Sequence, residues 1–116
     1  MSIDLHQFER SARTIGGEHR KAIDDSETSA RDLSRAEGEY HKALAVETAM
    51  AKQEFGSATM AETMAKGSPR VTNAKLERDV AAAKDRAAME RVRLSRDDRQ
   101  ALLSIAGWSR ANEAIE

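Results

Sequence analysis

The fold is decided by residues 71–115, VTNAKLERDVAAAKDRAAMERVRLSRDDRQALLSIAGWSRANEAI, a stretch that contains one glycine and no proline. Its apolar residues recur at steps of three and four, which is the spacing of one helical face. An unbroken helix of this length would run about 65–70 Å, so we expect it to lie against a second helix or against other copies of itself. The predicted face comprises Leu76, Val80, Ala83, Ala87, Leu94, Ala101, Ile105 and Trp108, interrupted at Glu90 and Asp98.

Composition also favours an all-α protein. The 116 residues include 34% charged and 3% aromatic side chains, a mixture typical of extended or coiled-coil helices. So few large side chains bury little surface per residue, which favours oligomerisation. There is no cysteine, which excludes disulfides and thiolate metal sites. With no long apolar run and no signal-peptide pattern, we expect a soluble, cytoplasmic protein.

Local signals predict the remaining helices. Residues 1–17 are predicted to form a short helix or arm that Asp4 caps and the glycine pair at 16 and 17 ends. Residues 18–116 are predicted to form one domain, with a first long helix at residues 25–55 and a short helix at residues 58–66. Ser68 and Pro69 suit the cap and first position of the second long helix. The predicted architecture is an antiparallel, coiled-coil-like helical hairpin.

The apolar spacing of the second long helix changes at residues 94–98. One interpretation is a stutter that locally unwinds a supercoil; the other is a break, with Ser95 capping a fresh helix. We favour two segments joined here. The second is apolar nearly all round its axis, so we expect it to be an extended oligomerisation helix buried by other subunits. The predicted interface residues are Leu94, Leu102, Leu103, Ile105, Trp108 and Ile115.

No catalytic or metal-binding pattern is recognisable. The three histidines, His6, His19 and His41, are far apart and lack the spacing of metal ligands. Glycine-rich phosphate loops and nucleophile signatures are missing as well. We therefore expect no enzymatic activity and no cofactor.

Arginines are the most informative polar residues. The C-terminal half, residues 57–116, carries 11 basic and 9 acidic groups. One interpretation of its arginines is a ridge that follows a phosphate backbone. The other is an ordinary solvated face, because carboxylates lie within reach for pairs at three- and four-residue spacing. The candidate nucleic-acid-binding residues are Arg78, Arg86, Arg91, Arg93 and Arg96.

Several short motifs along the chain resemble those of a known group of proteins. Glu39-Tyr40-x-x-Ala43-x-Ala45, then Gly56-Ser57, then Arg91-x-Arg93-Leu94 and Leu102-Leu103-Ser104, resemble small helical-hairpin proteins of tailed phages. The layout is similar to that of UvsY-type recombination mediators, over roughly residues 39–116. The resemblance implies a ring-like assembly that binds single-stranded DNA and helps to load a recombinase onto strands covered by single-strand-binding protein. Arg91 and Arg93 are the matched positions to test first, and the resemblance implies that the protein acts in the host cytoplasm.

Two functions of different classes follow. The first is a non-enzymatic, homo-oligomeric accessory protein of DNA recombination that binds single-stranded DNA, a recombinase or a single-strand-binding protein. The second is a helical adaptor or inhibitor that binds another protein and has no role with nucleic acid. A structural assembly component is a third possibility. No interaction with a membrane is expected.

Overall fold

The computed structural model describes the backbone from residue 4 to residue 115, and side chains as far as residue 111 except residue 109. It contains three helices: α1 (Leu5–Phe55), α2 (Ala58–Lys66) and α3 (Pro69–Ile115). Only Asp4 and the two connections, at residues 56–57 and 67–68, are not helical in this part of the chain. The prediction of an all-α protein is therefore confirmed.

Helix α1 begins earlier than predicted and is not interrupted. The Asp4 carboxylate accepts a hydrogen bond from the His6 backbone N–H at 2.9 Å, as predicted for a cap. The helix then continues through Gly16 and Gly17 to Phe55, so the predicted helix end at this glycine pair is wrong. Glycine costs a helix about 1 kcal/mol relative to alanine, a penalty that packing against the rest of the fold can offset.

Glycine ends α1. Gly56 has a φ of 72°, a conformation that residues with a side chain rarely adopt. Its backbone N–H donates to the Lys52 carbonyl at 2.9 Å, which satisfies one of the unpaired carbonyl groups at the helix end. The predicted end of the first long helix at residue 55 is confirmed.

Serine caps define the other two helix starts, and the one at Ser68 is as predicted. The Ser57 hydroxyl accepts from the Met60 N–H at 3.4 Å at the start of α2. At the start of α3, the Ser68 hydroxyl accepts from the Val71 N–H at 3.3 Å, and Pro69 occupies the first helical position. Proline is tolerated there because an N–H at this position has no partner within the helix.

Helix α3 is continuous from Pro69 to Ile115, so the predicted break or corner at residues 95–98 is wrong. Ser95 lies within the helix and donates its hydroxyl hydrogen to the Val92 carbonyl at 3.0 Å. This is back-bonding within a helix, and it is the reverse of capping, where the serine oxygen would accept from a later N–H.

The chain divides into two compact units, which we describe separately. The terminal unit comprises Met1–Glu27 and Ala87–Glu116, and the central unit comprises Thr28–Arg86. Within each unit, a segment of α1 packs against a segment of α3. None of the described helices has a stretch long and apolar enough to cross a lipid bilayer.

Small side chains form the core of the central unit. Ala43 on α1, Ala61 and Ala65 on α2, and Val71 on α3 are buried. Alongside them, the Arg78 guanidinium lies 4.3 Å from the centre of the Tyr40 ring. On α1, Leu33, Ala36, Tyr40 and Leu44 are half-buried at steps of three and four, whereas Phe55 at the end of the helix is exposed.

The terminal unit packs in the same way. Ala22 on α1 and Ala88 on α3 are buried. Between the helices, His19 Nδ1 and the Ser95 hydroxyl oxygen form a hydrogen bond of 2.7 Å. Partly buried apolar side chains continue this contact surface at Phe8, Ala12, Ile15, Val92, Leu102 and Ala106.

The packed face of α3 is not the predicted one. Leu76, Val80 and Leu94 are exposed, whereas the buried or half-buried positions recur mostly in steps of three and four from Val71 to Ser95, on another side of the helix, and resume at Leu102. Both faces have helical spacing, but the large side chains lie on the outer one. Small residues allow two helix backbones to approach closely, so the alanines rather than the leucines face α1. The inward positions are Val71, Ala74, Arg78, Ala81, Asp85, Ala88, Val92, Ser95, Leu102 and Ala106.

Candidate nucleic-acid interface

Three of the five candidate arginines lie together in the terminal unit. Arg91, Arg93 and Arg96 lie within six consecutive positions of α3, and all three side chains are exposed. We call this set the arginine band. Arg86 is also exposed, but it is the last residue of the central unit.

Arg78 does not belong with these residues. Its side chain is only 28% exposed and pairs with Asp79 at 3.3 Å, in addition to its contact with the Tyr40 ring. A guanidinium placed over an aromatic ring gains a cation–π interaction. The structure therefore uses Arg78 to pack α1 against α3, and its predicted place on an exposed arginine flank is wrong.

Arg93 is held by two carboxylates on its own helix. Its Nε donates to Glu90 Oε2 at 3.1 Å, a second N–H donates to Glu90 Oε1, and a third reaches Asp97 Oδ2 at 3.4 Å. Hydrogen bonding from Arg93 lowers the pKa of Glu90, and the same bond raises the pKa of Arg93. These pairs use the three- and four-residue spacing that joins neighbours on a helix surface.

Arg91 and Arg96 have no such partners. Among the described residues, neither guanidinium makes a hydrogen bond or an ion pair. At about 100° per residue, the two side chains leave the helix about 140° apart, and Arg93 lies about 60° from Arg96. The arginine band therefore surrounds much of the exposed circumference of α3 rather than forming one straight ridge.

This geometry suits a phosphate backbone better than a base. Two unpaired guanidinium groups can each bind a phosphate with two parallel hydrogen bonds. Arg93 can do so only by giving up contacts with Glu90 and Asp97. No aromatic side chain lies within residues 90–97, so this segment offers no surface on which bases could stack.

The predicted interface residues are exposed on α3. Leu94, Leu103, Ile105 and Trp108 are between 49% and 59% exposed, while Leu102 is half-buried. The side chain of Ile115 lies outside the described part of the chain. Exposed large apolar residues in such number mark a surface that can associate.

Sequence reasoning missed a second group of arginines. Arg13 and Arg20 of α1 and Arg99 of α3 line one groove of the terminal unit. The sequence does indicate that Arg13 and Arg20 lie together, because residues seven apart share one side of a helix. Their relation to Arg99 depends on the packing of α1 against α3, which no local pattern reports.

Within the described residues, no group of three His, Asp or Glu side chains is placed to hold a metal ion. Comparison with protein-family models, curated proteins and solved structures finds no match to this chain.

Proposed function

We propose that this chain is a non-enzymatic, oligomeric accessory protein that binds single-stranded DNA, similar in role to the recombination mediators that its sequence resembles. The observation that carries the proposal is the arginine band, with Arg91 and Arg96 exposed and unpaired on α3. Neutralising phosphates releases condensed counterions, and this release drives binding whatever the base sequence.

The scaffold in this proposal is an antiparallel, coiled-coil-like helical hairpin. Two contacts support it, each within its own unit: His19 of α1 bonds to Ser95 of α3, and Tyr40 of α1 contacts Arg78 of α3. Each contact joins α1 to α3 within its own unit, which is the pairing of helices that a hairpin requires. The three- and four-residue steps of the inward side chains fit knobs-into-holes packing.

Self-association is the second part of the proposal. The buried core consists largely of alanine, which removes little apolar surface from water. Leucine, isoleucine and tryptophan side chains instead remain exposed on α3. Joining subunits through Leu94, Leu103, Ile105 and Trp108 would bury them, and a folded state that associates is stabilised by mass action.

Binding to fluorescein-labelled oligo(dT) tests the DNA proposal. We expect fluorescence anisotropy to report binding at ~50 mM salt that weakens as salt rises. The double variant Arg91→Glu/Arg96→Glu should lose this binding while keeping its helicity and mass. The matched control is Lys75→Glu/Lys84→Glu, which makes the same charge change on exposed positions of α3 in the central unit. Absence of binding by the unmodified protein at ~50 mM salt would refute the proposal.

A protein-binding adaptor is the alternative, and the exposed apolar face of α3 favours it. Leu76 and Met89 are 64% and 58% exposed, although neither belongs to the predicted oligomer interface. An adaptor would use exposed apolar side chains such as these for another protein and would not need the arginine band. The two functions differ in one result, since Arg91→Glu/Arg96→Glu would leave an adaptor's activity unchanged.

The resemblance supplies the partners and place of action in this proposal. A mediator-like protein would contact a recombinase or a single-strand-binding protein on the DNA strand. If the chain is encoded by a phage, these contacts would take place in the host cytoplasm.

A further inference from the structure

The terminal unit contains an open groove between its α1 and α3 segments, with a volume of about 680 Å³. Clefts of this volume accommodate ligands about as large as several amino-acid side chains together. The floor is apolar and includes Phe8, Ile15 and Leu102, all partly buried. Ile23 and the more exposed Leu103 extend this apolar surface to the edges.

The charged groups that line this groove all have one sign. Arg13, Arg20 and Arg99 contribute three guanidinium groups, and no carboxylate occurs among the described residues of the lining. These arginines make no hydrogen bond or ion pair within the described part of the chain. The chain as a whole has a net charge of −1, so three arginines around an apolar floor, with no carboxylate in the same lining, are a local concentration of positive charge.

A groove in the central unit provides a comparison. It is also bounded by α1 and α3 and has apolar lining at Leu76 and Val80. Its charged residues are of both signs, because Asp32 and Glu77 accompany Lys84. The uniform positive charge of the first groove is therefore not a general property of grooves along these two helices.

One wall of the first groove lacks side chains. Gly16 and Gly17 line it, and a Cβ atom built on either residue would meet nothing within 4 Å. Helical glycines cost stability relative to alanine, and packing within this chain does not require them. They leave space beside Ile15 and Arg20 that a side chain of a bound segment can occupy.

We propose that this groove, lined by the residues above and called here the arginine-rimmed groove, binds an acidic amphipathic segment of another protein. Apolar side chains of the segment would cover Phe8, Ile15 and Leu102. Its carboxylates would pair with Arg13, Arg20 and Arg99, since arginine binds carboxylates through two parallel hydrogen bonds. A helix laid into a groove in this manner is a common mode of peptide recognition.

The lining favours a peptide over a nucleic acid. A phosphate backbone could pair with the three arginines but would leave the apolar floor of Phe8, Ile15 and Leu102 uncovered, whereas the apolar side chains of an amphipathic segment would remove it from water. Aliphatic floor residues instead match leucine-like side chains. The inference goes beyond the proposed function because it concerns a protein ligand and residues outside the arginine band.

The test uses a fluorescein-labelled synthetic peptide of about four helical turns, with leucine and phenylalanine on one face and aspartate and glutamate on the other. Its matched control replaces every acidic residue with asparagine or glutamine. We expect the full-length protein to bind the acidic peptide and to bind the neutral one at least about tenfold more weakly. Raising the salt concentration should weaken binding of the acidic peptide.

Two variants assign the binding to the groove. Arg13→Glu/Arg20→Glu should weaken acidic-peptide binding about tenfold or more, whereas Lys84→Glu in the central-unit groove should leave it unchanged. Gly17→Leu fills the open wall without altering charge and favours helix formation, so it should weaken binding without loss of helicity. Circular dichroism of each variant establishes that α-helix content is maintained.

Several results would overturn this proposal. Equal binding of both peptides, no binding of the acidic peptide, or unaltered binding by both groove variants would each do so. The proposal would also be overturned if Arg13→Glu/Arg20→Glu lost oligo(dT) binding but kept peptide binding. That result would assign the groove to nucleic acid. Conversion of an oligomer to a monomer by this variant, without peptide binding, would assign the groove to a second copy. The variant Arg91→Glu/Arg96→Glu separates the two proposals, because it should lose DNA but still bind the peptide.

Discussion

The packed face of α3 predicts an unusual order of mutational effects. Ala88 is fully buried in the terminal unit, while Leu94, six residues further along the same helix, is 49% exposed. We therefore expect enlarging the alanine to destabilise the fold more than truncating the leucine. The two changes, Ala88→Leu and Leu94→Ala, exchange the same pair of residue types in opposite directions.

The magnitudes follow from burial. Leu94→Ala removes three carbon atoms, worth about 0.8 kcal/mol each when fully buried, so a half-exposed side chain should lose about 1.2 kcal/mol. A leucine in a close-packed core would instead lose about 2.7–5 kcal/mol. Ala88→Leu must fit three additional carbons where no surface is exposed, which typically costs about 1–3 kcal/mol.

Urea unfolding followed by far-UV circular dichroism measures both effects. The protein should be dilute enough to be monomeric, because an assembly that buries Leu94 would add to the cost of its truncation. We expect the Ala88→Leu midpoint to fall further than the Leu94→Ala midpoint, with unchanged slopes. A loss of more than about 2.7 kcal/mol for Leu94→Ala, with Ala88→Leu tolerated, would show that the leucine face is the packed one.

Three further predictions concern single features. Gly38→Ala should stabilise the protein by about 0.5–1 kcal/mol in urea unfolding, because a Cβ at this position of α1 meets nothing within 4 Å; a loss of stability would contradict this. Arg93→Ala should raise the Glu90 pKa in an NMR titration, since hydrogen bonding from Arg93 lowers it below the ordinary 4.5. The stabilising contribution of that pair is full above this value and is lost as the pH falls through the depressed pKa; an unchanged Glu90 pKa would show that the pair does not form. Ser68→Ala should cost about 1 kcal/mol by removing the α3 cap, and Ser68→Thr, which keeps the hydroxyl, should cost less.

Helix caps and helix ends could be predicted from the sequence, because they depend on residues that are close together in the chain. The connection between the long helices is an example, because Ser57, Ser68 and Pro69 each act on backbone groups within three residues. Gly67 likewise ends α2, next to the predicted last residue 66. Such signals need no knowledge of tertiary packing, which is why the bounds of α2 and the start of α3 were predicted correctly.

Packing decides the features that were predicted wrongly. Two faces of α3 have helical spacing, and side-chain size favoured the one containing Leu94, which is the outer one. The glycine pair in α1 indicated a helix end, but contacts within the terminal unit compensate for its low helix propensity. Ser95 looked like a cap, yet its hydroxyl bonds with His19, 76 residues away in sequence. No window of local sequence contains that information.

The candidate site also contains features that local sequence predicts and features that depend on tertiary packing. The exposure of Arg91, Arg93 and Arg96 follows from their position on a charged helix surface and could be predicted. Arg78 is half-buried because it packs against Tyr40 of another helix. The sequence alone therefore could not show that Arg78 lies apart from the exposed candidate arginines. The arginine-rimmed groove was missed for the same reason, since it combines residues of two helices.

The most direct test of the proposed function is the salt dependence of single-stranded DNA binding, compared between the unmodified protein and Arg91→Gln/Arg96→Gln. Each phosphate contact contributes about 0.7 to the slope of log affinity against log salt concentration on single strands. If Arg91 and Arg96 each contact one phosphate, the slope should become shallower by about 1.4. An unchanged slope in this variant, with or without a loss of affinity, would contradict the assignment of these two arginines to the phosphate backbone.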